Sequence, residues 1–214
     1  MHDLIVFSHL RWVFVYQRPQ HLLSRLARDR RVFYVEEPDL VTGPANTSTS
    51  TPVNTGASPA ASILVSSPCP GVMVLRPRRP VDAAGFADAQ LSVLEPLLRQ
   101  WVADYGVRDA VAWFYTPMAL PLLRAVPARA VVYDCMDELS AFDFAPPQML
   151  RREAELLQRA DVVLTGGPSL YDAKKSRMPT CTASPVRWMW RTLHRWANAS
   201  MTAASPNRAW ASSA

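Results

Sequence analysis

Short apolar runs alternate with amphipathic segments along the first 177 residues of the 214-residue chain. The runs at 3–8, 31–35, 110–115, 130–133 and 161–165 have the length and the β-branched or aromatic content of buried strands. The segments between them repeat apolar residues at helical spacing, most clearly at Phe86, Val93, Leu94, Leu97, Trp101 and Tyr105. This alternation predicts an α/β fold with a doubly wound, mostly parallel sheet.

Proline marks the start of several of these helices. Pro19 and Pro117 each take the first position of a helix, and Pro146 starts a third. The turn at 166–169 leads into a fourth helix. Because the chain opens as strand, helix and strand, we expect the first crossover to be right-handed and the strands parallel.

Two segments depart from the alternation. Residues 41–70 are rich in Ser, Thr, Pro, Asn, Ala and Gly and have no period except at 63–65, so a long mobile insertion is expected at about 41–70. Residues 178–214 contain four arginines, four of the seven tryptophans and no acid, without a regular apolar period. The chain therefore divides into a sheet domain, 1–177, and a tail, 178–214.

The tail allows three interpretations. Its four tryptophans oppose simple disorder, and a basic amphipathic helix at 186–196 would bind a membrane surface or a partner. The third is a shifted frame, in which each codon takes the last base of one codon and the first two of the next. Residues 178–197 can then spell ANVHCFPSSVDVAHFAPLG, which contains a strand, a turn and a second strand-like run. This interpretation predicts a single-base deletion after the Arg177 codon and a tail never selected to fold.

Composition narrows the class of protein. No apolar run reaches the ~18 residues needed to cross a membrane, and the N-terminus lacks the regions of a signal peptide. Cys69, Cys135 and Cys181 are odd in number and far apart, which favours a reducing compartment over a disulfide framework or a zinc site. The tail holds four of the 23 basic residues and none of the 18 acids, so the body is nearly neutral and nucleic-acid binding has little support. We expect a cytoplasmic protein, with peripheral association at the inner face of the plasma membrane as an option for the tail.

Three carboxylates follow the strand at 130–133, namely Asp134, Asp137 and Glu138. Ligands of open parallel sheets bind beyond the carboxyl ends of the strands, so acids at that place are candidate catalytic residues that could orient a hydroxyl. Capping of the next turn by Asp137 or Glu138 is an equal alternative, and Asp134 is favoured because it ends the strand directly. Cys135 has no base nearby in the sequence and is predicted to be a small buried residue.

Further polar residues are expected at the same rim as candidate substrate-binding groups. His9 and Arg11 follow the first strand. Gln17 and Arg18 stand just before a helix, where Arg18 could contact a phosphate or a carboxylate. A solvated arginine is the alternative for each arginine taken singly, and His21, on the helix itself, is predicted to be structural.

Two later strands contribute the remaining candidates. Tyr115 and Thr116 end the strand at 110–115, and Tyr115 could either stack on a sugar or belong to the core. Gly166 and Gly167 lie in a strand-to-helix turn whose backbone N–H groups could meet an anion, with Ser169 beside them. Tight packing with a Ser169 cap explains this turn equally well, and the turn is neither a P-loop nor G-x-G-x-x-G.

Several separated stretches carry a family resemblance. FSHLRWVFVYQRPQHLLSRLA, FYVEEP, WFYTPMALP, VVYDCMDELSAF and ADVVLTGGPSLYDAK resemble the N-terminal domain of bacterial GT-B glycosyltransferases of the group-1, family-4-like kind. The hidden-frame NVHCFPSSVD resembles the segment that follows there. One departure is Val13, because a polar residue, usually Asp, is expected after Trp12.

The resemblance implies two Rossmann-like domains that face a cleft. The N-terminal one shapes the acceptor side, and the C-terminal one binds the nucleotide-sugar donor. The implied partners are a nucleotide sugar and a glycan or lipid-linked acceptor, with no metal and no cofactor besides the donor substrate; positive groups and helix N-termini would stabilise the leaving nucleoside diphosphate. Since the chain stops before the second domain, we expect a truncated, inactive transferase fragment.

Two other functions compete with this one. A non-catalytic doubly wound binding module, with the basic Trp-rich tail as a membrane or partner anchor, would require a genuine tail. A nicotinamide-dependent dehydrogenase is disfavoured because no Gly-rich fingerprint follows the first strand. An intact downstream frame that encodes a second domain would exclude the binding module.

Overall fold

The computed structural model describes residues 2–40, 61–79, 83–143 and 145–177. Within these ranges the strands are β1 (Asp3–Ser8), β2 (Val32–Glu36), β3 (Asp39–Leu40), β4 (Ser62–Cys69), β5 (Val72–Arg79), β6 (Ala110–Phe114), β7 (Ala128–Cys135) and β8 (Val162–Thr165). The helices are α1 (Arg18–Leu26), α2 (Leu91–Asp104), α3 (Met149–Arg159) and α4 (Pro168–Lys174). Shorter 3-10 helices span Asp88–Gln90, Pro117–Ala125, Leu139–Ala141 and Lys175–Arg177.

The strands form one sheet in the order β3-β5-β2-β1-β6-β7-β8, in which every neighbouring pair is parallel. β4 is the exception, since it pairs antiparallel with β5. The order runs outward in both directions from β1, and helices cover both faces of the sheet. The predicted doubly wound, mostly parallel Rossmann-like fold is confirmed.

Two hydrophobic clusters lie on opposite faces of the sheet. On one face, α1 packs its leucines against side chains such as Val6, Tyr34 and Trp113. On the other face, α2, α3 and the 3-10 helix at Pro117–Ala125 cover Phe7, Phe33 and their neighbours. Because both faces are covered, the central strands read in the sequence as continuous apolar runs rather than alternating ones.

Some elements differ from the sequence predictions. Ser62–Cys69, within the segment expected to be irregular, forms β4 at the sheet edge, where most of its side chains are exposed and no hydrophobic signal is needed. β7 is longer than predicted and includes Asp134. The segment that begins at Pro117 is a 3-10 helix rather than an α-helix, with a second proline, Pro121, inside it.

Several predictions lie outside the described residues. These are the mobile insertion over 41–60 and the out-of-frame or anchoring tail, 178–214. They stay predictions. None of the helices that the structure describes combines the length and apolar character needed to cross a membrane.

Candidate functional site

The carboxyl ends of five neighbouring strands form one rim of the sheet. In spatial order these strands are β2, β1, β6, β7 and β8. The polar side chains at or just beyond their ends are Glu36, Glu37, His9, Tyr115, Thr116, Asp134, Asp137 and Glu138, and Gly166 and Gly167 follow the last strand. The topology therefore brings residues from distant parts of the sequence to the rim where ligands of open α/β sheets bind.

The pleat of the strands divides these residues between the two faces of the sheet. Side chains alternate along a strand, so Asp134 shares the α1 face with Val132, while Tyr133 points toward α3. By the same alternation, Glu36 lies on the α1 side and Glu37 on the other. The rim thus carries two separate polar groups rather than the single acidic cluster that the sequence suggested.

On the α1 face, Asp134 is fully buried and pairs with Arg18. The Arg18 guanidinium nitrogen and Asp134 Oδ1 are 2.7 Å apart, which makes an ion pair, although the orientation falls outside hydrogen-bond geometry. The Arg18 side chain is 15% exposed and stands in the first turn of α1. Arg18, rather than Asp134, is therefore the member of the pair that can reach a ligand.

Burial raises the pKa of Asp134 to about 6, and Arg18 limits that rise. The Tyr115 hydroxyl and the Trp113 indole N–H are close enough to lower the pKa of Asp134 as well, although neither atom reaches hydrogen-bond geometry. Tyr115 is buried, so its ring offers no open face for a sugar in this structure. Burial raises the pKa of Tyr115 well above its usual value, with Asp134 adding to the rise.

The loop after β1 is held by buried Glu36. Its carboxylate accepts hydrogen bonds from the Trp12 backbone N–H at 2.7 Å and from the Arg11 guanidinium at 3.2 Å. Arg76 reaches the same carboxylate at 2.6 Å. Arg11 also donates to the Glu37 carbonyl oxygen at 2.7 Å and to Asp39 at 2.6 Å. Arg11 thus joins the loop to the end of β2. Its guanidinium makes these hydrogen bonds within the protein rather than pointing toward a ligand.

Buried Gln20 holds the other end of this loop. Its amide nitrogen donates to the carbonyl oxygens of Trp12 and Val15, both at 2.8 Å, and its amide oxygen accepts from the Gln17 backbone N–H at 3.0 Å. Gln17 is the exposed N-cap residue of α1. His21 is exposed and makes an edge-on contact with Tyr16, with the two ring centres 4.5 Å apart.

The tip of the same loop is apolar and exposed. Val13, Phe14, Val15 and Tyr16 are 78%, 80%, 47% and 61% exposed, respectively. Four adjacent exposed apolar side chains on a firmly anchored loop are typical of an interaction surface.

On the other face, a cavity of about 290 Å³ opens at the rim. Its polar lining residues are His9, Glu37 and Thr116. The rest of its wall is mostly apolar and comes from the loops around 84–86 and 139–149, together with Met118. His9 and Thr116, which the sequence analysis named as site residues, therefore meet in this cavity. Glu37 lies there as well, although the sequence analysis did not name it.

The acid that lines this cavity, Glu37, has a strongly raised pKa. Burial raises the pKa of its carboxyl to about 7, and the Arg11 charge limits the rise. Burial likewise lowers the pKa of His9, against the opposing effects of Asp137 and the Tyr115 backbone. Both shifts favour the uncharged form of the side chain, and titratable groups with pKa values perturbed by burial in a cleft are typical of functional sites. The sequence signal was the pair Glu36-Glu37 at a strand end, followed by proline.

Glu138, whose side chain is about a third exposed, belongs to an ionic network with two buried residues, Lys174 and Glu153. Lys174 Nζ donates to Glu138 at 2.7 Å and to Glu153 at 2.6 Å, and the Tyr133 hydroxyl donates to Glu153 at 2.8 Å. Burial opposes ionisation of Glu138, but the Lys174 and Ser140 hydrogen bonds lower its pKa overall. This network joins α4 to α3 and to the loop after β7, which is a structural arrangement.

The remaining candidates are spread along the rim. Asp137 is exposed and acts electrostatically on His9. A Cβ on Gly166 would lie 2.5 Å from the Met136 carbonyl oxygen, so Gly166 permits close packing of two loops. Gly167 is the N-cap residue of α4, and Ser169 is exposed and makes no cap.

Cys135 is buried, as predicted, and burial raises the pKa of its thiol to about 11. In the part of the chain that the structure describes, no three His, Cys, Asp or Glu side chains are grouped to hold a metal ion. A larger cavity of about 540 Å³ lies beside Arg31 and Gly71. That cavity is at the amino ends of the strands, away from the rim where parallel sheets bind ligands.

Comparison with known proteins places the fold. No protein-family model matches the chain, and no curated protein matches it. Among solved structures, one chain of sucrose-phosphate synthase from Thermosynechococcus elongatus is similar with a TM-score of 0.55 and 11% identity, over 94% of this chain and 98% of that one. A longer chain of the same enzyme gives a TM-score of 0.53 and 11% identity, over 91% of this chain and 53% of that one.

A third similar structure is from E. coli, is named trehalose-6-phosphate and is bound with UDP-2-fluoro glucose. It gives a TM-score of only 0.39 and 12% identity, over 76% of this chain and 39% of that one. The first two similarities show the fold alone: this chain has a Rossmann-like α/β domain with the same fold as those regions of sucrose-phosphate synthase. It spans about half the length of the longer sucrose-phosphate synthase chain.

Proposed function

We propose that residues 1–177 are the acceptor-side domain of a GT-B glycosyltransferase. The complete enzyme would transfer a sugar from a nucleotide-sugar donor to a glycan or lipid-linked acceptor. The observation that carries this proposal is the cavity at the carboxyl ends of β1, β2 and β6, where an acid, a histidine and a threonine face a mostly apolar wall. The fold and the motif resemblance support the same class.

Two parts of the rim have different tasks in this proposal. The cavity takes the acceptor, because carboxylate, imidazole and hydroxyl groups can bind and orient a sugar hydroxyl. Arg18, backed by Asp134 and placed in the first turn of α1, contributes positive charge toward the donor phosphates. Asp134 orients Arg18 from below, and Asp137 adds negative charge near His9.

The exposed loop tip at 13–16 faces the second domain or the donor in this proposal. It stands next to α1 at the same rim, and its two ends are tied down by Glu36 and Gln20. An apolar surface held in a fixed position is what a domain interface requires. Exposure of this tip also predicts self-association of the chain when the second domain is absent.

The tail belongs to the same proposal. We infer from the hidden frame that a single base was deleted after the Arg177 codon. The shifted reading frame would then encode the tail in place of the start of the second domain. Resequencing the gene around that codon tests this directly. A downstream frame that encodes a second Rossmann-like domain supports the inference, and its absence contradicts it and favours the binding module.

The activity is tested with the protein expressed from the restored frame. We expect it to release nucleoside diphosphate from UDP- or GDP-sugars when a glycoside acceptor is added, and the 214-residue chain to release none. Replacement of Thr116 by Val should lower turnover in the restored protein. Failure of the restored, folded protein to release nucleoside diphosphate from any donor would contradict the proposed function.

A further inference from the structure

The cavity at the rim has the mixed lining of a site for one neutral sugar ring. At about 290 Å³ it lies at the small end of the range for ligand pockets. Phe86, Met118 and Met149 contribute apolar wall, and they belong to the packed core beneath the sheet edge. A sugar ring has an apolar face and a polar periphery, so it needs such a wall together with a few fixed polar groups.

The carboxyl of Glu37 is the hydrogen-bond acceptor that lines this cavity. No hydrogen bond to its two side-chain oxygens is made by the described residues, whereas neighbouring Glu36 is fully engaged. The Glu37 backbone carbonyl accepts from Arg11, which fixes the start of the side chain. Glu37 therefore lines the cavity with a backbone held by Arg11 and a carboxylate to which none of the described residues donates.

Gly85 makes room for this carboxyl. It has a φ of 54°, and a Cβ there would lie 2.7 Å from Glu37 Oε1. Both the backbone conformation and the close approach favour glycine at this position. The loop before α2 is thus shaped around the Glu37 carboxyl.

Thr116 and His9 complete the polar set. Thr116 Oγ1 accepts the Met118 backbone N–H at 3.3 Å, so its hydroxyl proton is left to donate. His9 Nδ1 is buried and makes no hydrogen bond within the described structure. Acceptor and donor groups therefore line one small cavity, which suits a hydroxyl because a hydroxyl donates and accepts at once.

We propose that this cavity is the acceptor subsite, that it takes a single neutral hexose unit, and that Glu37 accepts a hydrogen bond from a hydroxyl of that unit. The proposal rests on the proposed function and adds the class of group bound and the residue that binds it. Asp137, exposed nearby, is not needed for this contact.

The test uses the full 214-residue chain and the methyl α-glycosides of glucose, mannose and galactose. Binding is measured by saturation-transfer NMR and by titration of amide chemical shifts. The variants are Glu37→Gln and Thr116→Val, and the matched control is Glu155→Gln, an exposed glutamate on α3 that pairs with Arg159. Circular dichroism confirms that each variant is folded.

At pH 8, where most of the Glu37 carboxyl is ionised, we expect at least one glycoside to bind the native chain. Binding should be about tenfold weaker in Glu37→Gln, because a charged acceptor is lost, and unchanged in Glu155→Gln. Equal affinity in Glu37→Gln, with shifts elsewhere on the rim, would overturn this inference and leave the proposed function standing. Absence of binding by all three glycosides would overturn both.

Discussion

Replacement of Glu37 by Gln should make the protein more stable at alkaline pH. Burial raises the pKa of this carboxyl from 4.5 to about 7, so the folded state binds its proton more tightly than the unfolded state does. The contribution of Glu37 to stability is therefore present at pH 4.5 and is lost as the pH rises through 7. The amide of the substituted glutamine cannot ionise, so the variant escapes this loss.

The size of the effect follows from the two pKa values. The interval from 4.5 to about 7, at about 1.4 kcal/mol for each tenfold change in proton affinity, corresponds to about 3 kcal/mol. Relaxation of the loops and entry of water reduce this value, so about 1–2 kcal/mol is expected. Arg11 and His9 are the other charged or titratable groups near the carboxyl, and both are unchanged in the variant.

The assay is urea unfolding of the native chain and of Glu37→Gln at pH 5 and at pH 8. The difference between the two proteins isolates Glu37, because Asp134, whose pKa is about 6, titrates in both. The variant should gain stability over the native chain between pH 5 and pH 8, whereas Glu155→Gln should follow the native chain. A Glu37→Gln protein that is no more stable than the native chain at pH 8 would contradict a Glu37 pKa that partial burial raises to about 7.

Three further substitutions are each predicted together with a contrasting condition or a control variant. Arg18→Gln removes the cation beside buried Asp134, so urea unfolding should show a loss of about 2 kcal/mol at pH 8 and a smaller one at pH 5, where Asp134 is largely protonated; equal losses would contradict this pairing. Lys174→Met leaves buried Glu153 and partly exposed Glu138 without their shared cation and should cost about 3 kcal/mol in the same assay, whereas the exposed Lys175→Met should leave the free energy of unfolding unchanged. Gly166→Ala places a Cβ 2.5 Å from a carbonyl oxygen and should lower stability by about 1–3 kcal/mol, whereas Gly167→Ala, with open space around it, should not.

The sheet could be predicted because its strands are covered on both faces. β1, β2 and β6 are continuous apolar runs, and the helices between them carry a clear apolar stripe. β4 could not be predicted, since an exposed edge strand needs no apolar period and this one contains Pro68. It forms because its backbone pairs with β5, which is a contact between segments rather than a property of either.

The sequence predicted which rim of the sheet carries the candidate residues, but not which face of the sheet each side chain lies on. His9 and Thr116 follow strands that end at one rim, and the structure brings them to one cavity. The grouping of Asp134 with Asp137 and Glu138 treated nearness in sequence as nearness in space, whereas alternation along β7 turns Asp134 toward α1. Glu138 could not be separated from a catalytic acid by sequence, because its partner Lys174 is 36 residues away.

The most direct measurement of the central claim is amide chemical-shift mapping of the native chain titrated with methyl glycosides. The cavity at the rim and the cavity beside Arg31 lie at opposite ends of the parallel strands, so shifts caused by binding in one can be told from shifts caused by binding in the other. We predict that the largest shifts cluster at His9, Glu37, Gly85 and Thr116. Shifts confined to the amino ends of the strands, around Arg31 and Gly71, would contradict a sugar-acceptor site at the carboxyl rim.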